Sequence, residues 1–153
     1  MIRVLFVCLG NICRSPMAES VFLHQVRAAG LEAHIEVDSA GTGDWHIGDR
    51  PHDGTLEILR VNGIPEGSRA RQIRVCDLSD FDYLVVMDNS NLANVQKMGA
   101  SRARISRLLD WVPESDVKEV PDPYFTGDFA ETYDLVQRGS AALLKQVRAQ
   151  HLL

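Results

Sequence analysis

The sequence predicts an α/β fold, a four-stranded parallel sheet with helices on both faces. Three observations predict it. Short uninterrupted apolar runs, the mark of strands buried on both faces, alternate with stretches of helical periodicity. Glycine and Asn-Gly close the helical stretches where a left-handed residue is needed. Strands joined through helices require right-handed crossovers and therefore parallel pairing.

Each element follows in order. Ile2 to Val7 is a continuous apolar run and reads as the first strand. Residues 16 to 30 place Met17, Ala18, Val21, Phe22, Val26 and Ala29 at helical spacing, with Pro16 in the first turn and Gly30 as the stop. His34 to Ser39 reads as a second strand and Ser39 to Pro51 as a glycine-rich loop. Leu56, Ile58, Leu59 and Val61 carry a helix over residues 54 to 62, ended by Asn62-Gly63. Tyr83 to Met87 is a third strand, Asn89 to Met98 a helix closed by Gly99, and Ala103 to Ser106 a short fourth strand. The stretch 112 to 128 reads as a long loop, of the kind that carries function, and Phe129 to Gln150 as the last helix. The expected strand order is 2-1-3-4, the doubly wound, flavodoxin-like arrangement.

Composition bounds the function. The 153 residues suit a single domain over 1–153 with one substantial core. A net charge of −5 argues against a nucleic-acid binder, whose footprint is basic. The apolar start is too short for a secretory signal and no segment reaches membrane-spanning length. Three cysteines form no disulfide framework, which fits a reducing, cytoplasmic setting. The five histidines are scattered and no Cys/His cluster has metal-ligand spacing, so neither metal nor cofactor is expected.

The chemistry concentrates in residues 2 to 17, IRVLFVCLGNICRSPM. A strand delivers Cys8 to a loop that ends at a helix N-terminus, where backbone N–H groups and the helix dipole favour anions, a thiolate included. Arg14, five residues on, offers a planar fork matched to phosphate oxygens. A bare Cys-x5-Arg arises by accident in roughly 15% of chains with three cysteines. Adding Gly10, Ser15 and the apolar strand upstream lowers coincidence to on the order of one in a thousand or less. Gly10 leaves room for a tetrahedral anion, and Asn11 tolerates the left-handed backbone that an amide nest needs. Ser15 can donate a hydrogen bond to the Cys8 sulfur, as thiolate and as leaving group. Taken alone, Cys8 would read as a buried strand-end thiol.

These residues resemble the low-molecular-weight protein tyrosine phosphatases, whose phosphate loop has the form Cys-x5-Arg-Ser. The resemblance continues through Asp38-Ser39-Ala40-Gly41-Thr42, Trp45, Ala70-Arg71-Gln72, Asp82-Tyr83, Met87-Asp88 and Asp122-Pro123-Tyr124, essentially the whole chain. It implies the same 2-1-3-4 sheet. It also implies hydrolysis of phosphotyrosine in proteins, and of small aryl phosphates, through a phosphocysteine on Cys8 with Asp122 as general acid and base. Asp122 lies between two prolines, a stiff setting for a carboxyl group, although Asp-Pro by itself is a turn signal. The loop residues Leu9, Gly10, Asn11, Ile12, Cys13, Arg14 and Ser15 would bind the phosphate, and Trp45 and Tyr124 would sandwich the phenyl ring. On sequence alone, either aromatic also reads as cover for the core edge.

Several readings stay open. Asp88 reads as a helix N-cap. Ser39 reads as a turn residue, or by resemblance as the group orienting Asn11. Ser68 stands where family members commonly carry a histidine that supports the loop. Cys13 either lines the loop or captures an oxidised Cys8 as a disulfide. In related arginine phosphatases the position of Ile12 holds a threonine, so the apolar residue favours phosphotyrosine over phosphoarginine. Arsenate reductases share this fold and loop but need a further cysteine pair, and here only Cys76 remains. The implied partners are a tyrosine-phosphorylated protein and a cognate tyrosine kinase, with no nucleic acid and no membrane, for a monomer or weak dimer.

Overall fold

The computed structural model describes residues 1–153. Four parallel strands, β1 (Ile2–Cys8), β2 (Ile35–Gly41), β3 (Tyr83–Val86) and β4 (Arg104–Arg107), form one sheet in the order β2-β1-β3-β4. This is the expected order. Around the sheet run α1 (Arg14–Ala28), α2 (Asp53–Val61), α3 (Asp77–Asp80), α4 (Asn89–Gln96), α5 (Pro123–Thr126) and α6 (Phe129–His151), with a 3₁₀ turn at Leu108–Trp111.

The period of two along β1 sorts its residues between two cores. Val4, Phe6 and Cys8 join Met17 and Phe22 of α1 and Leu143 of α6 on one face, where Phe6 and Phe22 meet edge to face at 5.4 Å. Leu5 and Val7 point the other way, with Leu78 of α3 and Val95 of α4. Side chains buried to this extent contribute about 1.5–3 kcal/mol each. A central strand covered on both faces has no polar side to present, which is why its sequence is an unbroken apolar run.

The long elements match their sequence expectations within about two residues at each end. Helix α1 begins at Arg14 rather than at Pro16, so Arg14 and Ser15 already belong to it. Asp88 caps α4 as expected, accepting from Asn91 N at 2.8 Å in a capping box. The elements that periodicity missed, α3, α5 and the 3₁₀ turn, have four residues each. Of these, α5 lies inside the stretch expected to be loop.

The chain leaves β1 towards β2 on one side and reaches β3 on the other, so the crevice of the sheet opens beyond the carboxyl end of β1. Cys8 is its last residue and pairs with Gly41 at the end of β2. A Cβ on Gly41 would lie 2.9 Å from the Leu9 carbonyl oxygen and 3.0 Å from the Gly10 carbonyl carbon. Only glycine lets the loop after Cys8 press against β2.

Candidate active site

The loop from Leu9 to Cys13 turns its carbonyls outward. Thr42 N donates to Cys8 O at 2.9 Å, Gly43 N to Leu9 O at 2.8 Å and His52 N to Ile12 O at 2.7 Å, while Thr55 Oγ1 donates to Cys13 O at 3.0 Å. None of the backbone N–H groups from Leu9 to Cys13 donates within the chain. The loop therefore satisfies its acceptors and leaves its donors for an anion, as a nest at a helix N-terminus does.

Asn11 holds that shape. Its φ is 56°, the left-handed backbone expected of it. Its Oδ1 accepts from Arg71 N at 3.0 Å, and because that N–H can only donate, the amide orientation is fixed. Its Nδ2 then donates to Ser15 Oγ at 2.7 Å and to Ser39 Oγ at 3.0 Å. Ser39 thus holds Asn11 through this hydrogen bond. The Ser15 hydroxyl, accepting from Asn11, has its own proton for Cys8 Sγ at 2.9 Å. Gly10 does not take a positive φ; a Cβ on it would come within 3.2 Å of the His46 ring, a neighbour that spacing alone did not reveal.

Arg14 is only 2% exposed. Its Nη1 donates to Asp88 Oδ2 at 2.7 Å and to Val120 O at 2.8 Å, and its Nη2 to Asp122 Oδ2 at 3.4 Å. Asp88 therefore has two roles, capping α4 with one oxygen and holding the guanidinium with the other. The cap alone was legible in sequence. Asp122 is also the N-cap of α5, its Oδ1 accepting from Tyr124 N at 3.1 Å. A single turn of helix thereby fixes the carboxylate and the aromatic that follows it.

These groups surround a cavity of about 380 Å³ lined by Cys8, Leu9, Gly10, Ile12, Cys13, Trp45, His46, Asp122, Tyr124 and Phe125. Asn11, Arg14 and Ser15 stand behind this wall as buried supports. Trp45 and Tyr124 are 67% and 55% exposed, which rules out the reading of either as cover for the core edge. Sequence reasoning missed Phe125, which meets Tyr124 edge to face at 5.3 Å and is 76% exposed. His52 approaches Tyr124 from α2's cap at 6.2 Å.

A cluster of acids and hydroxyls lies beneath Asn11. Ser39 Oγ donates to Glu19 Oε1 at 2.6 Å, and Ser68 donates its N–H and hydroxyl to Glu19 Oε2 at 2.9 and 3.0 Å. The Ser68 hydroxyl also lies 3.3 Å from Asp38 Oδ1, and Arg71 ties Asp38 to Asp77. Glu19 is 3% exposed and makes no ion pair, so burial raises its pKa above the usual carboxylate range, only partly offset by the hydrogen bonds from Ser39 and Ser68. The cue in sequence was an acid four residues after Ser15, on the same helical face. All three cysteines are free; Cys8 and Cys13 are buried, Cys76 exposed. Burial, with the Asp122 charge adding to it, pushes the Cys13 thiol up to about 12. No group of His, Cys, Asp and Glu in the chain is placed to hold a metal ion.

Residues 3–152 match the family model described as low molecular weight phosphotyrosine protein phosphatase. The chain is 50% identical, over the full length of both proteins, to the low molecular weight protein-tyrosine-phosphatase YfkJ of Bacillus subtilis. It is 45% identical to the low molecular weight phosphotyrosine protein phosphatase of Schizosaccharomyces pombe, over 95% of this chain and 97% of the relative. The crystal structure of YfkJ superposes with a TM-score of 0.96 over 98% of this chain and 96% of that one. A drosophila arginine phosphatase superposes with a TM-score of 0.90 at 32% identity, covering 96% of this chain and 98% of that one.

Proposed function

The chain belongs to the low molecular weight phosphotyrosine protein phosphatase family, and we propose on that premise that it hydrolyses phosphotyrosine in proteins with Cys8, Arg14 and Asp122 as its reacting and charge-bearing groups. The single observation that carries the assignment of residues is the loop of unpaired N–H donors wrapped around the Cys8 thiol, with Asp122 on the wall of the same cavity. The Cys8 sulfur attacks phosphorus in line. The P–O bond to the tyrosine breaks while Asp122 delivers a proton to the leaving phenolic oxygen. Asp122, now a carboxylate, takes a proton from the water that attacks the phosphocysteine, releasing phosphate and restoring Cys8.

The loop amides and Arg14 neutralise the equatorial oxygens through both steps, where preorganised donors contribute most. Arg14 is held tightly through Nη1 and loosely through Nη2, whose contact to Asp122 is 3.4 Å. Nη2 is therefore the arm that can turn to a phosphate oxygen with least loss. The Ser15 hydroxyl donates to sulfur when Cys8 is nucleophile and again when it departs. Trp45 and Tyr124, exposed on the rim, clasp the phenyl ring, and the apolar Ile12 in the wall favours that ring over a guanidino group.

Substitution of Cys8 by Ser tests the mechanism. We expect loss of phenyl phosphate turnover by about 10⁴-fold or more with binding of inorganic phosphate retained; turnover at the wild-type rate overturns it. Assaying phosphotyrosine beside phosphoarginine and arsenate separates the alternatives, and preferential turnover of phosphoarginine would replace the present reading.

A cytoplasmic location, supported by three free cysteines, and a cognate tyrosine kinase, the source of a phosphotyrosine substrate, complete the proposal; no helix is long and apolar enough to cross a membrane. The action as a monomer or weak dimer rests on the site being complete in one chain. Capture of an oxidised Cys8 by Cys13 has weaker support: with its thiol pushed up to about 12, Cys13 supplies little thiolate at neutral pH.

A further inference from the structure

Trp45 borders a second cleft. Its indole lies against Gly43, where a Cβ would come within 1.9 Å of the ring, so glycine is required for the ring to stand there. So placed, Trp45 lines both the catalytic cavity and a neighbouring cleft of about 360 Å³, and Leu9 of the phosphate loop lines both as well. The two spaces differ in chemistry. No charged side chain lines the second cleft; Thr42, Gln72 and Asn94 contribute hydroxyl and amide groups, and Met98 contributes apolar surface. Thr42 Oγ1 is shielded from solvent yet has no hydrogen-bond partner. Gln72 gives its Nε2 to Thr42 O at 3.1 Å, which leaves its Oε1 unclaimed.

We propose that this cleft receives the residue two positions from phosphotyrosine in a phosphoprotein substrate and selects an uncharged side chain there. The inference rests on the phosphatase reading and deepens it. Residues of an extended peptide advance by about 3.3 Å and alternate sides. A phosphotyrosine whose ring enters the catalytic cavity beside Trp45 therefore points its immediate neighbours away and carries the residue two positions along, about 6.6 Å further and on the same side, across the indole and over the second cleft. A neutral side chain such as Leu, Met or Gln meets apolar surface and the unclaimed Gln72 Oε1. A charged one is partly desolvated without a counter-charge, which disfavours it.

The test is kcat/KM for phosphotyrosyl peptides with Leu, Gln, Lys or Glu two positions before or two positions after the phosphotyrosine, each divided by kcat/KM for phenyl phosphate. Wild-type protein is expected to prefer Leu and Gln over both charged residues by about tenfold at one of the two positions. Asn94→Asp should make Lys the favoured charged residue at that same position, and Met98→Lys should do so for Glu. Equal ratios at both positions, or a preference that neither variant moves, overturn the proposal. Failure to hydrolyse phenyl phosphate at all overturns the phosphatase reading instead, so the two failures are distinguishable.

Discussion

The base of the phosphate loop and the mouth above it are built on opposite principles. At the base, Asn11, Arg14, Ser15 and Ser39 are each at most 2% exposed, and every one is held by at least two hydrogen bonds. At the mouth, Trp45, Tyr124 and Phe125 are more than half exposed; Tyr124 meets the rings of His52 and Phe125, and Trp45 lies against Gly43. Stabilising a charge that develops on phosphorus oxygens requires donors fixed within tenths of an ångström. Admitting a protein-borne ring requires surface that the partner completes. The base should therefore govern kcat and the mouth KM.

The largest effect that sharpens this contrast belongs to Asp122, which lies at the boundary. Asp122→Asn keeps the N-cap oxygen for Tyr124 and removes the proton. We expect kcat for phenyl phosphate to fall by about 10²–10⁴-fold, with a much smaller loss for esters whose leaving groups need no proton. An equal loss for both would mean that Asp122 acts by holding Tyr124 and Arg14, and the boundary would move to the mouth.

A smaller effect probes how far the base extends. Glu19 is buried beneath Asn11 with its pKa raised, so between the ordinary carboxylate range and that higher value the folded state binds more protons than the unfolded one. Stability from this group is complete below the unfolded pKa and is lost as pH rises through the folded one. Comparing Tm of wild type and Glu19→Gln from pH 4 to 8, we expect the difference to move in favour of the variant as pH rises. Parallel Tm profiles would show that Glu19 titrates alike in the folded and unfolded states and that burial does not raise its pKa.

The two regions also differ in how much of them the sequence discloses. The strands and long helices are legible because burial on two faces leaves unbroken apolar runs and burial on one leaves a period near 3.6. Cys8 and Arg14 are legible because a phosphate loop needs fixed residue types at fixed spacing within one short segment. Glu19 reads as an ordinary helical acid between Ala18 and Ser20, and nothing local reveals that Ser39 and Ser68, 20 and 49 residues away, converge on it. The helix α5 is a single turn, too short to show a period, so the rigid connection between Asp122 and Tyr124 appears only in three dimensions. Asp88 announces its cap, which is local, and conceals its bond to Arg14, which spans 74 positions.

The smallest expected effect falls on the mouth itself. An aromatic contact contributes about 0.5–1.5 kcal/mol beyond buried area, so Trp45→Ala should raise KM for phenyl phosphate by roughly 2- to 12-fold. The effect should appear in KM because the indole meets the ring in the bound substrate and in the transition state alike, which is uniform binding. Phosphorus lies deeper, against Cys8 and the loop amides, and these are fixed by contacts to Thr42, Gly43 and His52 backbone that do not involve the Trp45 side chain. A fall in kcat larger than the rise in KM would show that the indole helps to shape the loop, and the separation between a rigid base and a partner-completed mouth would fail at that residue.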